Sequence, residues 1–470
     1  MAGKAERFDV FVVGGGGAGS EVAFPLGSHG GMRVAIAERD KLGGECNHYG
    51  CVPTKAMLAS ARVAASARDA ERFGVRVPSV EVDFPAVMER VRRIISSQSG
   101  EGAKPFEDQG ITVVMDEVRL VGPHELEAAD GTRYEADRIV LATGSEPTLP
   151  PMDGLADGPY WTNKEAIWSP SEPPTSLVVI GSGAIGIEFA TIYARFGSKV
   201  TVLESADQIV PAEDPAVAAA LQPVLEDEGI LFLTGVEIAS ARHDGSQWTL
   251  AVAGVGDVVA DEVLVATGRK PCFDVHDLAA AGVTLDDNGR PVLDETLRAT
   301  ADGIWACGDA TGDLLFTHVG DYEARLVVAD ILGEPWQRDY RVIPRVTYCE
   351  PEVASVGLTE PAAREAGYDV HTAEASFHDN ERAVIEGHAG GVVKIVMDGP
   401  SGEVLGGHVV GEHAGELIHQ VVAAMSGRMP SKALGDAMFA YPTLSESVRW
   451  VFRELAGMEE HHRVETIAHE

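Results

Sequence analysis

The chain has 470 residues, 45% of them apolar, and 52 glycines, enough for about two to four domains with sizeable cores. Its 73 acidic against 37 basic residues leave a net charge of -36, which repels nucleic-acid backbones and anionic lipid surfaces and reads as solvated faces that favour solubility. No apolar run approaches the ~20 residues that span a bilayer, and five cysteines are too few for a secreted disulfide framework, so a cytoplasmic protein with no nucleic-acid or membrane partner is expected.

Phe8 to Val13 is short, apolar and leads straight into glycines, the pattern of a buried strand and not of a signal peptide. Gly14, Gly16 and Gly19 follow in G-x-G-x-x-G spacing, then a helical segment to about Ser28, and Arg33 to Glu38 reads as a second strand ending in an acid. A dinucleotide needs these residue types here: a tight turn at Gly14, close backbone approach to a pyrophosphate at Gly16, helix-to-strand packing at Gly19, and Glu38 on a ribose hydroxyl. Next comes GGECNHYGCVPTK, Gly43 to Lys55, with Cys46 and Cys51 five positions apart. Five residues of ideal α-helix rise about 7.5 Å, whereas a disulfide needs Cα atoms within about 7 Å. A bridge therefore requires a distorted turn, for which Gly43, Gly44, Gly50 and Pro53 supply the means. No Cys/His set completes a zinc site, so no metal is expected; on these residues alone, two inert buried thiols remain an alternative.

From Arg62 to Gln98 the chain is rich in alanine and arginine with helical periodicity. VLATGS, Val140 to Ser145, is a strand running into a turn. A second dinucleotide unit then opens at the strand Leu177 to Ile180, with Gly181, Gly183 and Gly186 in the same spacing and Lys199 to Glu204 as the closing strand and acid. Ser205 and Ala206 follow Glu204, with no arginine for a 2'-phosphate, so this site is built for NAD(H) over NADP(H). VLVATGRKP, Val263 to Pro271, repeats the strand-to-turn pattern, and GIWACGDATG places Gly308 and Asp309 at a strand end, where an acid reaches a ribityl or ribose hydroxyl. From about Arg345, alternating strands mix with the helical segments AGELIHQVVAAM and LSESVRWVFREL. Cys272, Cys307 and Cys349 read as packing residues, and His408, His413 and His419 as packing or surface histidines, because their spacing follows no compact ligand motif.

GGECNHYGCVPTK resembles the GGTCxxxGCxPSK motif of the class I pyridine nucleotide-disulfide oxidoreductases, the FAD enzymes that include dihydrolipoamide dehydrogenase, glutathione reductase and mercuric reductase. The resemblance covers nearly the whole chain in order: the first glycine loop, the cysteine pair, ATGS, the second glycine loop, ATGRKP, CGDATG and the C-terminal YPTLSE. It implies an α/β protein with two Rossmann-like dinucleotide-binding domains, for FAD and NAD, plus a C-terminal α+β dimerisation domain. The expected boundaries are residues 1–150 and 273–344 for FAD, 151–272 for NAD(P), and 345–470 for the interface of a homodimer. The implied FAD contacts are Gly14, Gly16, Gly19, Glu38, Gly44, Thr143, Gly144, Gly308 and Asp309, with His318 beginning a helix aimed at the flavin pyrimidine. Gly181, Gly183, Gly186, Glu204 and Gly268 are the corresponding nicotinamide-nucleotide positions. Cys46 is then the cysteine that exchanges with substrate, Cys51 the one against the flavin, and Lys55 with Glu188 an ion pair beside flavin N5. Ala184 stands where glutathione reductase has a gating tyrosine.

One departure bears on the chemistry. Where the family's disulfide reductases carry His-Pro-x-x-x-x-Glu, this chain has Tyr441, Pro442 and Glu446. A phenol of pKa near 10 donates a hydrogen bond but forms no imidazolium–thiolate pair at neutral pH, as a histidine of pKa about 6.5 does. Soluble transhydrogenases of the family share the tyrosine but lack the complete cysteine pair. Mercuric reductase is disfavoured, because the chain lacks a C-terminal cysteine pair and a GMTCxxC module, although RAVIEGHAGGVVKIV resembles that subgroup. The expected activity is hydride transfer from NADH through FAD to a Cys46–Cys51 disulfide and on to a small-molecule acceptor, a disulfide or a quinone. A diaphorase or quinone reductase is the rival, and an FAD-bearing protein without catalysis is a third class that the intact cysteines, Lys55 and Glu188 argue against.

Overall fold

The computed structural model describes residues 5–29, 31–98, 102–273, 275–334 and 336–458, which divide into two compact units. The first takes the described residues within 1–57, 85–148 and 268–339; the second takes those within 58–84, 149–267 and 340–470.

In the first unit, β1 (Glu6–Val13) leads through the glycine loop into α1 (Gly17–His29) and β2 (Val34–Ala37). These strands lie in a seven-stranded sheet, where β1 pairs in parallel with β2 on one side and with the strand Arg133–Leu141 on the other. Side chains alternate across a strand, and here both faces are covered. Phe11, Val13, Ala35 and Ala37 enter one core, while Val10, Val12, Val34 and Ile36 enter the other, against Val22 and Leu26 of α1 and Leu326 and Val327 of the helix Thr317–Ile331. That is why Val10 to Val13 is an unbroken apolar run, each side chain contributing about 1.5–3 kcal/mol on full burial. The strand Ile304–Ala306 joins the same sheet and delivers Cys307, fully buried as a packing residue, to the edge of the Gly308 turn.

In the second unit, four parallel strands in the order Leu231–Leu233, Lys199–Leu203, Ser176–Ile180 and Glu262–Val265 repeat the arrangement, with the helix Ala184–Arg195 after the second glycine loop. A three-stranded antiparallel sheet (238–243, 248–252 and 256–260) packs its Trp248 and Leu250 into the same core. The C-terminal part is a five-stranded antiparallel sheet covered by the helices Ala414–Ser426 and Ser445–Leu455, with Val421, Val448 and Phe452 fully buried. His408 lies inside it, its ring nitrogens 3.1 Å from Ser355 Oγ and 3.1 Å from the Leu358 carbonyl, whereas His413 and His419 are exposed. Among the described residues no helix is long and apolar enough to cross a membrane, and no group of His, Cys, Asp or Glu is placed to hold a metal ion.

Candidate active site

The first glycine loop divides its labour as the spacing requires. Gly14 has φ +111°, and a Cβ there would lie 2.1 Å from the Ala142 carbonyl oxygen, while a Cβ on Gly19 would lie 1.9 Å from the Gly14 carbonyl oxygen. At Gly16 the nearest atom is the Gly44 Cα at 3.9 Å, so this backbone is the open one. Glu38 Oε2 accepts from the Gly15 N–H (2.9 Å) and Oε1 from the Asp40 N–H (2.8 Å), which fixes the carboxylate at the loop with lone pairs to spare. Next to the Gly14 turn, Thr143 Oγ1 is buried without a hydrogen-bond partner among the described residues. An open glycine backbone, an orphaned hydroxyl and a half-engaged acid together fit the ADP-bearing part of a dinucleotide such as FAD.

The cysteine motif folds as two helices meeting at a bend: α2 (Gly44–His48) and α3 (Cys51–Arg68), joined by Tyr49 and Gly50. Gly43 and Gly44 take the left-handed φ values, +94° and +60°, whereas Gly50 stays at negative φ and is confined instead, a Cβ there lying 3.3 Å from the Glu45 carbonyl oxygen. Pro53 falls in the first turn of α3, where its missing N–H leaves no bond unmade. The half-buried Cys46 and the exposed Cys51 stand on either side of this bend. The hydrogen bond to Cys51, then burial and the Cys51 charge, push the Cys46 thiol far up, against smaller opposing effects of Thr317 and Lys55. Cys51 is the first residue of α3, and its sulfur is 3.7 Å from the hydroxyl of Thr317, the first residue of the helix Thr317–Ile331. Two helix N-termini thus converge on one sulfur, an environment that favours a thiolate. His318 is exposed and stacks on Phe316 at 5.5 Å, and Lys55 Nζ donates to Thr54 Oγ1 at 3.4 Å.

Asp309 is held by residues that the motifs contained but that spacing alone did not single out. Ser145 Oγ donates to Asp309 Oδ2 (2.5 Å), and Arg269 Nε donates to Ser145 Oγ (2.8 Å). Burial pushes the Asp309 carboxyl up, and the Ser145 hydrogen bond and Arg269 charge oppose it. The signal was the pairing of the two post-strand turns: Ser145–Pro147 and Arg269–Pro271 form a two-stranded antiparallel ribbon. Gly144 and Gly268 begin its arms with φ +73° and +119°. Gly308 donates its N–H to the fully buried Glu323 (2.7 Å), a residue the sequence reading did not assign.

In the second unit Gly181 and Gly186 reproduce the tight positions, with Cβ approaches of 2.6 Å to the Ala266 carbonyl oxygen and 2.0 Å to that of Gly181, and nothing lies within 4 Å of a Cβ on Gly183. Gly183 caps the helix Ala184–Arg195, whose free N–H groups suit a pyrophosphate. Glu204 differs from Glu38: Oε2 accepts from Ser182 N (2.8 Å) and Oγ (2.7 Å), and Oε1 from Ala206 N (2.8 Å) and Ser205 Oγ (3.3 Å). Burial pushes this carboxyl up, but the four donors outweigh it and leave it below the ordinary range. Glu188 is buried on the same helix, and its Oε1 accepts the Tyr348 N–H at 3.1 Å. Tyr441 is 70% exposed, and the buried Glu446 accepts the Thr443 N–H at 3.2 Å. Lys55 belongs to the first unit; Glu188, Tyr441 and Glu446 belong to the second.

These features define a flavin- and pyridine-nucleotide-dependent redox protein with a dithiol beside its first nucleotide cradle. Residues 8–327 match the family described as pyridine nucleotide-disulphide oxidoreductase, and residues 343–452 match its dimerisation domain. The chain belongs to that family of FAD-dependent enzymes. It is 34% identical over 459 residues to a dihydrolipoyl dehydrogenase of Bacillus subtilis, covering 96% of this chain and 99% of the relative, and 37% identical over 456 residues to that of Chlorobaculum tepidum, covering 95% and 96%. Among solved structures, the HOCl-induced flavoprotein disulfide reductase RclA of Escherichia coli superposes with a TM-score of 0.84 at 28% identity, over 94% of this chain and 99% of that one.

Proposed function

We propose that the protein is a homodimeric NADH-dependent FAD oxidoreductase that opens a Cys46–Cys51 disulfide and delivers the electrons to a small-molecule acceptor. The observation that carries this reading is the placing of both cysteines at the α2–α3 bend, with Cys51 at the start of one helix and its sulfur 3.7 Å from the hydroxyl of Thr317 at the start of another. Bound FAD supplies the two-electron relay between NADH and the disulfide. Gly14, Gly16, Gly19, Gly44, Glu38, Thr143, Gly144, Gly308 and Asp309 would hold it, and His318 would stand at the start of the helix that faces it. Gly181, Gly183, Gly186, Glu204 and Gly268 serve the nicotinamide nucleotide. When two electrons break the S–S bond, Cys46 takes up the single proton and donates it in a hydrogen bond to the Cys51 sulfur, which keeps the negative charge.

Glu204 carries the preference for NADH. Its lone pairs are occupied by Ser182, Ser205 and Ala206, so it discriminates chiefly as a fixed negative charge that a 2'-phosphate must approach, with no arginine beside it. The exposed Tyr441 and the 98% exposed Met438 lie in the stretch matched by the dimerisation domain, and a second copy of the chain covers them. Five cysteines, too few for a secreted disulfide framework, suit a reducing compartment such as the cytoplasm.

The acceptor in this reading is a disulfide such as lipoamide, which the similarity to dihydrolipoyl dehydrogenases supports as a choice of substrate class, with turnover limited by Tyr441. Cys46, the exchanging thiol, is held protonated, and a phenol offers no base to ionise it at neutral pH. A second reading, direct delivery to quinones or dyes with Cys46 incidental, is favoured by that same feature. Steady-state NADH oxidation with lipoamide, glutathione disulfide and quinone acceptors, run on wild type beside Cys46→Ser, separates them. Loss of lipoamide turnover with quinone turnover retained supports the disulfide route. Equal lipoamide turnover in both proteins overturns it.

A further inference from the structure

Glu45 stands directly before Cys46, where the family motif has threonine, and its carboxylate is tied inward. Arg269 Nη2 lies 3.2 Å from Glu45 Oε1, and the Arg269 side chain is only 12% exposed. The same guanidinium donates to the Ser145 hydroxyl and carbonyl, both at 2.8 Å, and Ser145 Oγ donates to Asp309 Oδ2 at 2.5 Å. A continuous set of polar contacts therefore runs from α2, across the Ser145–Pro147 and Arg269–Pro271 ribbon, to the Asp309 turn. α2 has five residues, far too few to be stable by itself. It is held by backbone contact of Gly44 with Gly16, by His48 Nε2 against the Leu42 carbonyl at 2.9 Å, and by this ion pair. In the disulfide form a covalent bond adds a further tether from α2 to α3. Reduction removes that tether, and the Glu45–Arg269 pair remains.

We propose that Glu45 and Arg269 form a positioning clamp that keeps Cys46 within reach of Cys51 in the dithiol form, which favours re-closure and makes the disulfide a stronger reductant couple. The proposal rests on the reading of Cys46 and Cys51 as a redox pair. A clamped dithiol has a higher effective concentration of one thiol at the other, and that lowers the reduction potential. The charge of Glu45 also opposes a nearby thiolate, so removing the carboxylate favours the dithiol by either route; keeping the charge while shortening the reach separates the two.

The test equilibrates the holoenzyme with dithiothreitol redox buffers at pH 7. The Cys46–Cys51 bond opens with two electrons from dithiothreitol, which closes to its own disulfide and releases two protons, one taken by Cys46 and one by solvent, and the thiols are counted by alkylation and mass. Glu45→Thr and Glu45→Asp should each shift the equilibrium toward the dithiol by about three- to tenfold, up to about 30 mV more positive. An aspartate variant indistinguishable from wild type, with only the threonine variant shifted, would reduce the effect to charge and overturn the clamp; an unshifted threonine variant would overturn it too. FAD content and the flavin's own potential, measured in parallel, should be unchanged. Failure of the wild type to form a Cys46–Cys51 disulfide would remove the redox-pair reading as well, whereas a normal disulfide that ignores Glu45 removes the clamp alone.

Discussion

Gly44 and Gly31 share φ +60°, but only Gly44 is crowded: a Cβ there would lie 2.7 Å from the Gly16 Cα, while among the described residues nothing beyond its chain neighbours lies within 4 Å of one on Gly31. The pair makes a controlled experiment on the contact that joins the cysteine motif to the nucleotide loop. Alanine at either position pays the left-handed backbone penalty of about 1–2 kcal/mol. Gly44→Ala adds a backbone-to-backbone clash that no rotamer relieves, about 1–3 kcal/mol by analogy with overpacked cores. The displaced partner is Gly16, whose open backbone is assigned to the pyrophosphate, so the added strain should appear in FAD binding as an affinity about tenfold weaker. Both variants are read by the midpoint of thermal FAD release and by titration of apoprotein with FAD. Gly31→Ala should lower the midpoint slightly and bind FAD normally. Equal behaviour of the two variants would refute the reasoning, since it would mean that α2 moves off the glycine loop freely.

Other consequences are open to measurement. Cys51→Ala removes both the hydrogen bond and the charge that hold the proton on Cys46, so the Cys46 thiol should fall toward its ordinary range and react faster with iodoacetamide at pH 8; an unchanged rate contradicts the coupling. NADH should exceed NADPH in kcat/KM by an amount on the order of 1–3 kcal/mol, and Glu204→Ala should narrow the gap. Tyr441→His should raise lipoamide turnover, general acid–base help being worth about 10²–10⁴ in rate, and leave quinone turnover as it was. The result that counts against this is a wild type already as fast with lipoamide as with quinones. Lys394 is buried between Asp214 (3.1 Å), Glu360 (2.7 Å) and Glu374 (3.3 Å), so Lys394→Met should destabilise the second unit by about 3–5 kcal/mol in urea unfolding at pH 7. Burial raises the Asp214 carboxyl, but its N–H donors and Lys394 bring it below the ordinary range. Its stabilisation is therefore complete above about pH 4 and lost as the pH falls further, and the effect of the substitution should shrink in acid.

Much of the molecule was legible in the residues themselves. Both glycine loops, the strand runs and the cysteine pair are local patterns: a tight turn, a 2.0-residue alternation and a helix start are decided by neighbours a few positions apart. Gly19 and Gly186 could be assigned because each sits against the backbone of its own strand–turn–helix unit, at the carbonyls of Gly14 and Gly181, whereas the carbonyls that crowd Gly14 and Gly181, those of Ala142 and Ala266, come from strands far along the chain. Contacts between segments distant in sequence were not legible. Ser145 and Arg269 are 124 positions apart and meet only because their two turns pair as a ribbon, and Thr317 reaches Cys51 across 266 positions because a helix begins there. The sequence by itself determined which residues are chemically able to bind nucleotides and exchange electrons. Tertiary structure alone decided which of them share a proton, a charge or a buried hydroxyl, because hydrogen bonding and Coulomb interaction depend on distances that chain spacing does not record.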